Sequence, residues 1–254
     1  MDITFVGVGE ACDERLPNTS VLVRASLAEG SCSILLDCGF TPACRYWRHT
    51  DDVDDLDALW ISHFHGDHFF GVPVLLLRLW EMKRCKPLSL LGPPGLRKTL
   101  QLAMDLAYPG FRDRLQFPIE FIELDTEKPV ELHGCTWQAA ENEHSLRSFA
   151  LRLDTGQQSL FYSGDGRPTR ETLALARHCQ LIIHEAFRLD GETPGHGTVQ
   201  GCVDFARNAR AESLALVHLQ RDERRDHHRE IMGLLAEVRD FHAFLPEPDD
   251  RYQW

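Results

Sequence analysis

The chain has 254 residues, 43% of them hydrophobic, enough for one sizeable core and without a composition break that asks for a second domain. Its formal net charge of -12, from 27 basic against 39 acidic side chains, repels a nucleic-acid backbone on average and leaves RNA binding to a local basic patch. No apolar run approaches the roughly 20 residues of a membrane helix, the eight cysteines include no CxxC pair, and the acidic start "MDITFVGVGEACDERLPN" is no secretory signal, so a cytoplasmic protein with reduced thiols is expected.

In chain order, residues 3–8, 20–27 and 33–37 read as strands, rich in β-branched and apolar residues. "TDDVDDLD" (50–57) reads as a solvated loop and lacks the Gly and terminal Glu of a calcium loop. Residues 58–62 read as a buried strand, 68–83 as a helix, 88–91 as a strand and "GPPG" as a turn. The helix over 95–107 has Leu96, Leu100, Ala103 and Leu106 in register. Strands follow at 119–124, 130–132, 136–142, 148–153 and 159–163. Helices at 170–177, 196–210 and 226–239 then alternate with buried strands at 181–184 and 213–218. Both halves begin with strands and end with helices. That order predicts an α/β chain, one domain over 1–254, folded as a four-layer αββα sandwich of two facing sheets with helices outside.

The densest chemistry is "SHFHGDH", residues 62–68, directly after the apolar run "LDALWI". Imidazole nitrogens and carboxylate oxygens bind divalent ions at about 2.0–2.2 Å. On an extended backbone His63 and His65 share a face, and a loop after Gly66 folds Asp67 and His68 back towards it. The stretch therefore offers two ligand pairs, His63/His65 and Asp67/His68, for two neighbouring ions. Further ligands belong at other strand ends, where an α/β sheet places its site. His144 after "TWQAAEN", Asp165 after "SLFYSG" and His218 after "SLALV" stand there.

Together, "SHFHGDH", His144, "YSGD" and "LVHL" resemble the metallo-β-lactamase-fold hydrolases across nearly the whole chain. "ITFVGVGEA", "LPNTSVLV", "LLDCG", "LLGPPGL", "HEAF" and "GHGT" are similar to motifs of the ribonuclease Z branch, and "EPDDRYQW" to an ending common in the superfamily. The resemblance implies that His63, His65 and His144 hold one metal, that Asp67, His68 and His218 hold the second, and that Asp165 bridges both. It also implies a proton-donating pair, Glu185 and His196. Residue 65 is His where flavodiiron oxidoreductases of the same fold carry Glu, which favours hydrolysis with zinc or manganese over oxygen chemistry at iron. In such a site Asp67 accepts or orients the proton of the attacking water, and His196, held by Glu185 in a loop that Thr198 caps, protonates the leaving oxygen.

The departures from that branch fall on RNA-facing features. The long arm that grips tRNA is replaced by "TGQQ", a hairpin turn between "SFALRLD" and "SLFYSGDG"; "GFTPACRYW" stands for the branch's "GEGT"; and "LQRDERR" follows His218. A retained hydrolase core with a small-molecule or nucleotide-like diester substrate is expected, with tRNA not favoured and a homodimer allowed by the apolar helix at 68–83. Phe69, Phe70, Trp47 and Trp80 are candidates for an apolar pocket wall, and Arg45, Arg221 and Arg224 for a phosphate contact. The competing expectations are hydrolysis of a carboxylic ester, thioester or lactone, and a binding protein that keeps the metal for structure.

Overall fold

Runs such as "LSLLG", "LIIHE" and "SLALV" are buried along their whole length, as expected of parallel strands covered on both faces. The computed structural model describes residues 1–28 and 30–254. Its first half runs β1 (Asp2–Gly7), β2 (Ser20–Ser26), β3 (Ser31–Leu36), α1 (Pro42–Arg45), β4 (Ala58–Trp60), α2 (Gly66–Phe69), α3 (Val72–Glu81), β5 (Leu88–Gly92), α4 (Leu96–Ala107) and β6 (Ile119–Glu123). The second half runs β7 (Val130–Leu132), β8 (Cys135–Glu141), β9 (Phe149–Asp154), β10 (Ser159–Tyr162), α5 (Arg170–Ala176), β11 (Leu181–Glu185), α6 (Val199–Ala209), β12 (Ser213–Val217), α7 (Arg221–Asp226), α8 (His228–Glu237), β13 (His242–Phe244) and β14 (Arg251–Gln253).

These strands form two seven-stranded sheets, ordered β14-β1-β2-β3-β4-β5-β6 and β13-β12-β11-β10-β9-β8-β7. Each sheet has an antiparallel meander that turns parallel, at β3–β4 in the first and β10–β11 in the second. Between them lies one apolar layer in which Phe5, Ile34, Trp60, Trp137, Leu151 and Ile183 are buried. A second cluster joins α1, α3 and α4 to the outer face of the first sheet. A third joins α5, α6 and α8 to the outer face of the second. The expected αββα layering is therefore present, and β14 crosses back from the second half to pair with β1.

Several boundaries differ from expectation for local reasons. The strand at 58–62 ends at Trp60, so Ser62, His63 and His65 lie on an irregular segment. The helix at 68–83 is two helices. Gly71 separates them, because a Cβ there would lie 1.9 Å from the Gly39 carbonyl oxygen, and Pro73 opens the second. The helix at 196–210 starts at Val199, with the Thr198 hydroxyl accepting the Gly201 N–H. The helix at 226–239 is α8, which starts at His228; a separate helix, α7, precedes it and ends at Asp226. In α4 it is Met104, with Leu96 and Leu100, that is buried, while Leu106 stands exposed. The short elements α1, β13 and β14 carry no periodicity and were not expected. Among the described residues no helix is long and apolar enough to cross a membrane, and the eight cysteines are free thiols.

Candidate metal centre and active site

All seven expected ligands meet at one end of the sandwich. Four come from the β4–α2 region, and the others follow β8, β10 and β12. One group is His63, His65, His144 and Asp165; the other is Asp67, His68, Asp165 and His218. Within each, the donor atoms lie within 4.8 Å of one another, and Asp165 belongs to both. His65 has extended backbone, and Asp67 and His68 sit on the single helical turn of α2. That turn, rather than the expected loop, folds the second pair back.

Asp37, which the sequence reading passed over, organises the floor. It follows β3 with a left-handed backbone (φ 58°), as does the candidate ligand His218 after β12 (φ 61°), a conformation that L side chains adopt at a cost and that clusters at functional sites. The buried Asp37 Oδ2 accepts from Ser62 Oγ at 2.7 Å and from the Tyr162 hydroxyl, on the opposite sheet, at 2.7 Å. It also faces His68 Nδ1 at 2.8 Å. Its signal in the sequence is "LLDCG", an acid at the end of an apolar strand.

These contacts set the histidine tautomers. A carboxylate only accepts, so His68 Nδ1 carries the proton and Nε2 is turned inward. Ser62 gives its proton to Asp37 and so accepts from His63 Nδ1 at 3.0 Å. His144 Nδ1 donates to the Gly195 carbonyl at 2.8 Å. The inward nitrogens then crowd one another. His65 Nδ1 lies 2.9 Å from His63 Nε2 and 3.1 Å from His144 Nε2, and one proton cannot serve both contacts. Buried Asp165 Oδ1 lacks a well-aligned donor, although His68 Nε2 stands 3.3 Å away. Converging lone pairs beside unmatched carboxylate oxygens are what a pair of cations would satisfy, so the residues present fit divalent ions.

Without a cation the same groups polarise one another. Burial favours the uncharged form of His68 and His218, yet Asp165, with Asp37 for His68 and Asp67 for His218, holds both imidazoles protonated, His218 up to about 9. Burial likewise opposes ionisation of Asp67 and Asp165. Hydrogen bonds from His218 and His68 to Asp67, and the charges of His218 and His68 beside Asp165, nevertheless keep both carboxyls below the usual range. Burial pushes His63 and His65 down.

Glu185 ends β11 fully buried. Its Oε1 accepts from Gly197 N at 2.8 Å and Gly166 N at 3.1 Å, and lies 3.4 Å from His196 Nδ1. The His196 ring stacks on Phe187 at 4.6 Å and runs nearly parallel to the His218 ring at 6.0 Å. Arg167, also missed in the sequence, pins this loop by donating to the carbonyls of His196 (3.2 Å) and Thr193 (3.1 Å). A cleft of ≈ 410 Å³ opens over the cluster and is lined by His65, Asp67, Asp165, His196 and His218 among others.

The expected phosphate contacts are each engaged by an acid. Arg221 pairs with Glu10 at 2.8 Å, Arg224 with Glu247 at 2.8 Å and Arg45 with Asp249 at 2.6 Å. Of the expected wall, Phe69 is buried in the core, and Trp47 and Trp80 pack against that core. Phe70 is exposed, beside Phe40.

The family model described as Anti-Pycsar protein Apyc1 matches residues 1–241. The chain belongs to this family. It is also similar to the ribonuclease Z of Staphylococcus epidermidis (strain ATCC 35984), with 31% identity over 86% of this chain and 88% of the relative. Among solved structures, the metallo-β-lactamase fold protein YhfI from Bacillus subtilis superposes with a TM-score of 0.81 at 19% identity, covering 99% of this chain and 98% of that one. Human tRNase Z, short form (ELAC1), superposes with a TM-score of 0.78 at 24% identity, over 100% and 99%. This Apyc1-family chain thus has the metallo-β-lactamase fold, is ribonuclease Z-like, and is a metal-dependent hydrolase.

Proposed function

We propose that the chain hydrolyses a small phosphodiester, using two divalent metal ions held by His63, His65, His144 and Asp165 and by Asp67, His68, Asp165 and His218. The observation that carries this reading is one carboxylate, Asp165, shared by two His/Asp groups beneath a cleft that also holds His196. Two ions in those groups would supply the charge that activates water and offsets the developing anion.

The chain's own residues do the rest. Asp67, held ionised, accepts or orients the proton of the attacking water at its carboxylate. His196 keeps Nδ1 towards Glu185, which leaves Nε2 as the atom that protonates the departing oxygen. Glu185 is held by two backbone N–H groups, so its position does not depend on His196. Arg167 and the Phe187 ring orient the loop that carries His196.

Zinc or manganese suits the His/Asp donor set. The free thiols suit a reducing cytoplasm. A small diester is favoured over tRNA, because Asp154 and Ser159 pair directly across a short turn where ribonuclease Z carries its arm, and because the net charge is -12. Helix α3 buries Val72, Leu75, Leu76 and Leu79 in its own core, so that apolar face lends no support to a homodimer.

The test is hydrolysis of bis-(p-nitrophenyl) phosphate by zinc- and manganese-loaded protein, beside Asp67→Ala at matched metal content. Metal-dependent turnover that the variant loses is expected. Two bound metals without turnover on the diester, but with turnover on carboxylic esters or lactones, would replace the reading by its ester alternative. Metal without turnover on any of them would leave a binding protein.

A further inference from the structure

The segment that departs from the ribonuclease Z pattern, "GFTPACRYW", contributes one ring to the cleft. Phe40 lines it together with Asp67, Asp165 and His196. Among the described residues, the aromatic side chains that stand exposed are Phe40 (53%) and Phe70 (55%). Their rings meet edge to face, with centroids 6.1 Å apart and planes at 69°. Apolar rings left in water are unfavourable for the free protein and favourable for whatever covers them.

The ring is held. Gly39 lies so close to α2 that a Cβ would sit 1.8 Å from the Asp67 carbonyl oxygen. On the other side, Thr41 is tied to Asn18: its hydroxyl accepts from Asn18 N at 2.8 Å, and its own N–H donates to Asn18 Oδ1 at 3.3 Å. Phe40 is thus fixed at both neighbours, one of them against the backbone of a ligand. Gly66, between His65 and Asp67, lets both rings lie over that turn, since a Cβ there would be 2.5 Å from Phe40 Cζ and 3.0 Å from Phe70 Cδ2. A preorganised ring adjoining the reacting centre adds affinity with little ordering cost.

The cleft's charges point the same way. Its acids are Glu10, Asp67 and Asp165, and among the described residues no Lys or Arg lines it. Arg221, close to the rim, is taken up by Glu10. Beyond the one phosphate that two metals would neutralise, the cleft offers no Lys or Arg to a second anionic group.

We propose that Phe40, braced by Phe70, is the specificity-determining contact of this hydrolase: it seats a flat, apolar ester arm, the one that stays on phosphorus, against the metal cluster. This rests on the phosphodiesterase reading above. The cleft then prefers a ring-bearing, singly charged diester to one with an alkyl arm or a further phosphate.

The experiment compares phenyl p-nitrophenyl phosphate with methyl p-nitrophenyl phosphate, which release the same phenolate and differ only in the retained arm. The wild type should favour the phenyl arm in kcat/KM. In Phe40→Ala that phenyl-to-methyl ratio should fall about three- to tenfold, mostly through KM, and Phe40→Trp should restore it. An unchanged ratio would overturn the proposal. Calorimetric binding of diphenyl phosphate against dimethyl phosphate gives a readout free of turnover. If neither diester were hydrolysed, the phosphodiesterase reading would fall alone, provided that diphenyl phosphate still bound better and lost its advantage in Phe40→Ala. Equal binding of both analogues would overturn the subsite whatever the activity. A change in sedimentation mass between wild type and Phe40→Ala would place the rings in a contact between copies of the chain and would also overturn it.

Discussion

Asp165 is the residue on which both candidate metal groups depend, because its Oδ2 lies 4.0 Å from His63 Nε2 in one and its Oδ1 lies 3.3 Å from His68 Nε2 in the other. Asp165→Asn keeps the shape but removes the charge, so metal bound per chain, read by atomic emission, should fall by at least one ion while far-UV circular dichroism stays native. Asp37 acts one step further out, through the proton on His68 Nδ1. Asp37→Ala should weaken binding at the Asp67/His68/His218 group about 10- to 100-fold in a chelator competition. A variant with unaltered affinity would show that His68 needs no such partner. For His196, the general-acid role predicts a loss in kcat of about 10²–10⁴ on a diester with an alkoxide leaving group in His196→Gln. The loss should be much smaller with p-nitrophenolate, which departs without a proton. Equal losses on both would remove His196 from that role.

At the scale of elements, the site depends on one place where backbone meets backbone and on one helix cap. Gly39 touches the carbonyl of Asp67, so Gly39→Ala forces the β3–α1 loop away from α2. The expected outcome is a folded protein that binds less metal at the Asp67 group, with the His63 group less affected; titration with cobalt, followed by its visible bands, separates the two. The second place is the cap of α6 at Thr198, three residues after Gly195 and two after His196. Thr198 caps this helix by accepting the Gly201 N–H at 3.0 Å. Thr198→Ala should cost about 1 kcal/mol in urea denaturation. A change well below that would mean that Arg167 alone fixes the loop.

Over the whole molecule, the buried cluster couples stability to pH, and the sign depends on metal. In the metal-free chain His218 is raised to about 9, so its contribution is complete below the ordinary histidine value of 6.5 and is lost as pH rises through about 9. Asp67 and Asp165 are lowered, so theirs is complete above 3.8 and is lost only as pH falls below that value. His63 and His65 are lowered, so they favour the unfolded chain as pH falls below 6.5, and the cluster therefore stabilises the metal-free protein most near pH 6.5. Its Tm should fall from pH 6.5 to 9, on the order of 5 °C, by calorimetry in chelator. Metal must displace protons from His68 and His218, so metal affinity should rise over the same range, with proton release visible in buffers of different ionisation enthalpy. Parallel slopes with and without metal would contradict this linkage.

Chemistry that is local was legible in the amino-acid order. Four donors within six residues, and acids or imidazoles directly after apolar runs, need no partner to be recognised, since strand ends are where an α/β sheet presents its functional groups. Strands buried along their whole length, such as β5 and β12, announce themselves in the same way, because burial on both faces leaves little room for polar alternation. What only the tertiary structure decided are the contacts between distant residues. His68 meets His218 across 150 positions, and Tyr162 reaches Asp37 across 125. The supporting roles of Asp37 and Arg167, the exposed ring of Phe40 and the pairing of β14 with β1 all arise where elements cross. Each depends on a three-dimensional neighbour, and no periodicity along the chain encodes it.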